Sequence, residues 1–167
     1  PNQLSDQYAN YFDLNVNQTK INYQYCVENP KKVAGYGAEY WGLTASYSRN
    51  PDGSVGYNAH MPSNDQQVIS PTAAISSIVY TPKESIAFIR NLYENHKDET
   101  WGNAGFYDAL SLGNNWVAKR YLAIDQGPEV VMIENYRTGL LWKLFMNAPE
   151  TRQGLQNLGF HSSKYGF

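Results

Sequence analysis

The sequence predicts an all-α protein whose helices lie in two concentric layers, as in an α/α toroid, and three observations predict it. Strand-type alternation is weak throughout the 167 residues. Helical segments come in pairs, an almost wholly apolar one followed by a one-sided amphipathic one, the pattern of buried helices backed by half-exposed ones. Proline and glycine punctuate these segments, proline near the starts and glycine past the ends. The length, residues 1–167, is that of one domain and suffices to bury a core.

The elements follow in chain order. Residues 4–29 read as helical, with a break expected near Phe12-Asp13; Leu14, Val16, Ile21, Tyr25 and Val27 recur loosely until Pro30 ends the run. Residues 33–67 are rich in Gly, Asn, Ser and Pro, and an irregular stretch this long is usually functional. Ser70-Pro71 opens a short apolar helix carrying Ala73, Ala74, Ile75, Ile78 and Val79. Thr81-Pro82-Lys83-Glu84 then opens an amphipathic one as a capping box. That second helix places Ile86, Ile89, Leu92 and Tyr93 on one face. Another aromatic- and glycine-rich loop, residues 100–121, separates the two pairs. In the second pair Pro128 fits a helical first turn and Gly139 a helix end. Residues 128–146 are apolar nearly all round, which predicts an inner, buried layer. A one-sided helix follows from Pro149, with Leu155 and Leu158 inward.

Charge and composition narrow the chemistry. A net charge of −2, with 17% charged residues and no basic run, argues against nucleic acid as a partner. No apolar run is long enough to span a bilayer. Cys26 is the single cysteine, so no disulfide forms within the chain. The chain opens on Pro1-Asn2 without Met, as expected of a fragment or processed product. Fourteen Tyr, four Trp and six Phe supply flat apolar faces with polar edges, which suit sugars, although a Tyr-rich core has the same composition.

Few side chains are of catalytic type. Asp125, just before the Pro128 helix, reads either as an N-cap or as a general base kept ionised by the helix terminus. Glu134, three residues before Arg137, reads as a structural ion pair. Glu39 lies among aromatics in the first loop, either meeting a sugar hydroxyl or solvated. His60, Asn64 and Asp65 lie in a stretch that suits a sugar pocket or a set of turns. The three histidines, His60, His96 and His161, lack ligand spacing, so no metal is expected. The glycines form no phosphate loop, and no cofactor is expected.

Five blocks then carry a resemblance: GYGAEYWGLTAS (35–46), GYNAHMPSNDQQVISPTAAISSIVYTPKES (56–85), WGNAGFYDAL (101–110), NWVAKRYLAIDQGPEVVMIENYRTGLLWKLF (115–145) and LQNLGF (155–160). In order and over nearly the whole chain they resemble the bacterial glycoamylase-like family, which includes endo-β-1,2-glucanases. The resemblance implies the C-terminal portion of an (α/α)6 toroid, with the N-terminal part of the same catalytic domain as its partner. That missing part would carry the general acid. It also implies an inverting glycoside hydrolase with an oligo- or polysaccharide substrate, in a periplasmic or secreted protein. Exo-hydrolysis of α-glucans and non-catalytic glycan binding stand as alternatives. Asp125 carries over as the catalytic base. Trp41, Tyr57, His60, Asn64, Asp65, Tyr107 and Trp116 carry over as substrate-binding, and Glu39 and Gln126 join them as candidates for the same role. Tyr47 stands where the family pattern has Asp after GLTAS, and Asp52 is the candidate to replace that carboxylate.

Overall fold

The computed structural model describes residues 4–167, and about half of the chain is helical. Helix α1 (Tyr11–Glu28) begins at Asn10, whose side-chain oxygen accepts from the N–H groups of Phe12 and Asp13. That cap explains the irregularity expected near Phe12: the helix starts there rather than breaking there. The first loop is ordered by side chains. Asn22 on α1 donates to the Leu43 carbonyl at 2.7 Å and accepts the Leu43 N–H at 2.9 Å. Asp65 accepts from Tyr25 of α1 at 2.8 Å and from Tyr36 at 2.9 Å.

The loops also contain strands, which corrects the all-α expectation. Strand β1 (Ser46–Arg49) pairs antiparallel with β2 (Val55–Asn58), with Tyr47 opposite Tyr57. Asp52 at the hairpin tip accepts from the N–H and the hydroxyl of Ser54. Beyond the helices α2 (Pro71–Ile75), α3 (Pro82–Asn95) and α4 (Lys97–Thr100) come two further hairpins. They are β3 (Trp101–Gly102) with β4 (Gly105–Phe106), and β5 (Ala109–Ser111) with β6 (Trp116–Ala118). Strands of two to four residues are too short to show a period of two in the sequence. Ile69 and Leu110 exchange two backbone hydrogen bonds of 2.9 Å, which joins the first loop to β5.

The capping box at Thr81 does not form: its hydroxyl donates back to the Ser77 carbonyl, and Pro82 starts α3 without a side-chain cap. Helix α5 (Ala123–Arg137) starts earlier than Pro128, which lies inside it, and Asp125 occupies the first turn. Gly139, at φ 70°, separates α5 from α6 (Leu140–Asn147), and α7 (Pro149–Asn157) follows.

Cys26, Tyr40, Trp41, Ile69, Phe88, Leu92 and Leu110 form the core. Each fully buried large side chain contributes roughly 1.5–3 kcal/mol. Trp41 is central, edge-on to Tyr23 and Phe88. The expectation of a buried 128–146 stretch fails within the described residues: Val130, Leu144 and Phe145 are 68%, 62% and 63% exposed. Leu158, expected inward on α7, is 74% exposed. No segment of the described chain packs over these side chains.

Gly42 sits where the loop presses on α2. Its φ is +124°, and a Cβ there would stand 3.1 Å from both the Ala74 nitrogen and the Ser70 oxygen. The Gly42 carbonyl also accepts the Ser70 N–H at 3.0 Å. Gly42→Ala therefore strains the backbone and pushes α2 away, and it is expected to cost roughly 1–3 kcal/mol. Chemical denaturation of the full-length variant measures this.

Candidate active site

Helix α5 packs across α2 and the Ser76–Val79 turn, and this packing sets Asp125 at one end of an open depression of about 490 Å³. Thr44, Ala45, Tyr57, Thr72, Tyr80, Pro128 and Met132 are among the residues lining it. The Thr72 hydroxyl donates to the Asp125 carbonyl at 2.7 Å, which ties the first turn of α5 to α2. The Tyr57 hydroxyl reaches both carboxylate oxygens of Asp125 at 3.3 Å. Gln126 donates to the Phe106 carbonyl at 3.2 Å and fixes the same turn to β4. Asp125 is thus neither an N-cap nor ahead of the helix; Leu122 holds the cap position.

Two further carboxyl groups meet Asp125, and neither is among the residues nominated from the sequence. Asp108 is 2% exposed and lies within hydrogen-bonding reach of Asp125. Its Oδ2 accepts the Tyr47 N–H at 2.8 Å. Glu129 is 8% exposed and sits four residues after Asp125, one turn along the same face of α5. Burial is the main cause that pushes Asp108 up to about 7, opposed by the Tyr47 N–H and reinforced by Asp125. Burial likewise pushes Glu129 up to about 8, with repulsion from Asp125 and then Asp108 adding to it. The Tyr57 hydroxyl is pushed up to about 12 by burial and by the Asp125 charge. Three carboxyl groups in one pocket do not all ionise near neutrality, and Asp125 is the one that opens on the depression. The i, i+4 spacing of Asp125 and Glu129 is a signal the sequence offered; Asp108 offered none.

The other sequence-nominated residues separate from this cluster. Trp41 is wholly buried, its indole N–H donating to the Glu84 carbonyl at 3.3 Å, so it is a core residue with no face for a sugar. Both oxygens of Asp65 hold tyrosine hydroxyls, a structural role. Asn64 closes a turn by donating to the Ala59 carbonyl. His60 is 3% exposed with neither ring nitrogen hydrogen-bonded, and burial lowers its pKa. Glu39 is exposed in a different depression beside Asn91. Glu134 forms the expected pair with Arg137 at 3.4 Å. Asp52 lies at its exposed hairpin tip, bonded to Ser54 and not among the residues lining the depression. Tyr107 is half-buried against the ring of Tyr121, 5.3 Å between centroids. Trp116 lines a separate depression of about 280 Å³, with the Arg49 guanidinium 6.0 Å from its ring. That second depression has no carboxylate. Among the described residues, no set of three His, Cys, Asp or Glu is arranged to hold a metal ion, and no helix is long and apolar enough to cross a membrane.

The family model described as "Glycoamylase: Putative glucoamylase" matches residues 1–149. The chain belongs to this family. It is similar to the exo β-1,2-glucooligosaccharide sophorohydrolase (non-reducing end) of Parabacteroides distasonis, 44% identical over 160 residues. That match covers 95% of this chain and 22% of that protein. It is also similar to the endo-β-1,2-glucanase from Chitinophaga pinensis, solved as a sophorotriose and glucose complex. There the TM-score is 0.89 and the identity 50%, covering 98% of this chain and 38% of that one. A structure titled as a "putative glucoamylase" from Bacteroides uniformis matches with a TM-score of 0.92 and 52% identity, over 100% of this chain and 39% of that one. The chain thus spans well under half the length of these relatives.

The carboxyl cluster makes stability depend on pH. Glu129 binds its proton more tightly folded (about 8) than at its ordinary value of 4.5, so the folded state holds the extra proton between those values. Its favourable contribution is complete below the ordinary value and is lost as pH rises through the folded one. Asp108 acts in the same direction between 3.8 and about 7. Glu129→Gln in the full-length protein is expected to flatten the fall in unfolding free energy from about pH 4.5 to 8. The change is at most several kcal/mol, at ~1.4 kcal/mol per pKa unit. Denaturation midpoints measured across that range, for both proteins, check it.

Proposed function

We propose that this chain is the C-terminal part of the catalytic domain of an inverting glycoside hydrolase that acts on β-1,2-glucan, with Asp125 as its general base. The observation that carries the proposal is the buried Asp125, which lines the 490 Å³ depression beside two carboxyl groups that burial drives toward their neutral forms. A base must face the substrate, and of the three carboxyl groups only Asp125 lines the depression. Its place in the first turn of α5 favours the anion, because the helix N-terminus carries partial positive charge. In an inverting hydrolase such a group takes a proton from water as that water attacks the anomeric carbon. The acid stands on the opposite side of the bond, ~6.5–9.5 Å away. We assign that acid to the N-terminal part of the same domain, and Tyr57 and Gln126 to the substrate-facing wall around Asp125.

The functionally named relatives support a β-1,2-linked substrate, one by exo and one by endo action; the family description alone points to glucoamylase chemistry. Tyr47 leaves the carboxyl cluster intact and contributes its N–H to it, which favours catalysis over simple glycan binding. We further propose that α5 and α6 belong to the inner layer of an (α/α)6 toroid in a periplasmic or secreted protein. Their exposed Val130, Ile133, Leu144 and Phe145 then pack against the rest of the domain.

Asp125→Asn in the full-length protein tests the base. General base catalysis typically supplies ~10²–10⁴ in rate, and the loss in β-1,2-glucan turnover is expected in that range. The melting temperature should change little, since Asn keeps the shape of Asp and can still accept from the Tyr57 hydroxyl. Near-normal turnover would overturn the assignment. A separate measurement addresses the toroid: residues 1–167 expressed alone are expected to self-associate through the uncovered apolar face. A monomer that melts cooperatively in analytical ultracentrifugation and calorimetry would count against it.

A further inference from the structure

We propose that Asp108 is a positioning residue for Asp125, and that one proton held between their carboxyl groups fixes the orientation of the base. This rests on the reading of Asp125 above. The geometry begins with the backbone of Asp108, which is held on both sides. Its N–H donates to the Arg120 carbonyl at 3.1 Å, and its carbonyl accepts the Ser70 hydroxyl at 2.7 Å. Its Oδ2 is fixed by the Tyr47 N–H at 2.8 Å. The side chain is therefore clamped, and its Oδ1 is buried with no hydrogen-bond donor reaching it. An orphaned buried carboxylate oxygen is costly, and a carboxyl group next to a second carboxyl has one inexpensive remedy, which is to keep a proton and donate it.

Asp125 lacks a rigid partner of its own. The Tyr57 hydroxyl lies 3.3 Å from both of its oxygens, a shared and long contact that does not fix the rotation of the carboxylate. A protonated Asp108 supplies the missing directional bond, leaving the charge on Asp125. The arrangement resembles a base oriented by a third group, with the acid form of one aspartate in that part. The groups facing the pair are Glu129 from α5, Tyr57 and Tyr47 from the β1–β2 hairpin, and Arg120 after β6, whose guanidinium stacks 4.6 Å from the Tyr47 ring. None of these supplies a donor to Asp108 Oδ1. The upward shift of Asp108 to about 7 agrees with a proton retained near neutrality, and that proton belongs to the pair rather than to either residue. Above that range the pair becomes doubly anionic, the two carboxylates repel, and Asp125 turns away from its productive orientation.

Asp108→Asn in the full-length protein isolates the effect, because its amide can accept the Tyr47 N–H and donate permanently to Asp125. Turnover of β-1,2-glucan near neutrality is expected to stay close to that of the unmodified protein, while the alkaline fall in kcat moves to higher pH or disappears. Asp108→Ala, which lacks the donor, is expected to lose on the order of 10²-fold in kcat, the cost of a misplaced catalytic group. An Asn variant that keeps the original alkaline fall would overturn the proposal. A readout independent of turnover is the infrared carbonyl band of a protonated carboxylic acid. It is expected near pH 6 in the Glu129→Gln protein, where Asp108 is the remaining protonated member of the cluster, and it should vanish above about pH 8. Its absence near pH 6 would overturn the proposal even if the Asn variant did not fold. If Asp125→Asn retains turnover while the band is present, the base assignment fails and the shared proton stands.

Discussion

The buried meeting of Asp108 with Asp125 is the constraint around which this structure is arranged. Through its N–H, its carbonyl and its carboxylate, Asp108 joins four segments: the end of β6, the loop before α2, strand β1 and the first turn of α5. These segments are far apart in sequence, and only one of them belongs to a long helix. A buried acid there is expensive unless its oxygens find donors, so the surrounding backbone is obliged to supply them. The same obligation brings β1 against β5, and the β1–β2 hairpin carries the Tyr57 hydroxyl to Asp125.

The helices frame this junction rather than form it. Helix α5 rests on α2 and the turn after it, with Thr72 bonded to the Asp125 carbonyl, and α2 in turn is held by Gly42 and the core around Trp41 and Phe88. A displacement of the loop at residue 42 would therefore reach the carboxyl cluster through α2. On its other side α5 presents Val130, Val131 and Ile133 to solvent, while its buried positions are Asp125, Glu129 and Asn135. A helix whose polar residues are buried and whose apolar residues are exposed leaves an apolar face open within the described residues. That inversion supports placing it in the inner layer of the complete domain.

Aromatic side chains, which the composition put forward as sugar platforms, divide between two roles. Trp41, Tyr36 and Tyr40 are core members, with the Tyr36 hydroxyl spent on Asp65 and that of Tyr40 on the Leu110 carbonyl. Tyr57, at 41% exposure, and the half-buried Trp116 keep part of their rings accessible. Both residue types carry an apolar body and a polar handle, and which part is used depends on whether a partner stands within reach.

The sequence by itself determined the helices and where they end, because helical periodicity, proline starts and a glycine stop are properties of neighbours three or four residues apart. It also paired Glu134 with Arg137 and carried the family, while it set Asp125 just ahead of a helix whose first turn in fact holds it. It did not show the three hairpins, whose strands are too short to alternate, nor the true starts of α1 and α5, which depend on the Asn10 cap and on contacts with α2. Tertiary structure alone decided which acids matter. Asp52, Glu39 and Asp65 are as visible in the sequence as Asp108 and Glu129, yet the first two are exposed and the third binds tyrosines. Asp108 and Glu129 acquire their chemistry only when loops closed by hydrogen bonds across tens of residues bring them out of water and beside Asp125. Desolvation and the repulsion between carboxylates are functions of distance in space, and the order of residues along the chain does not contain that distance.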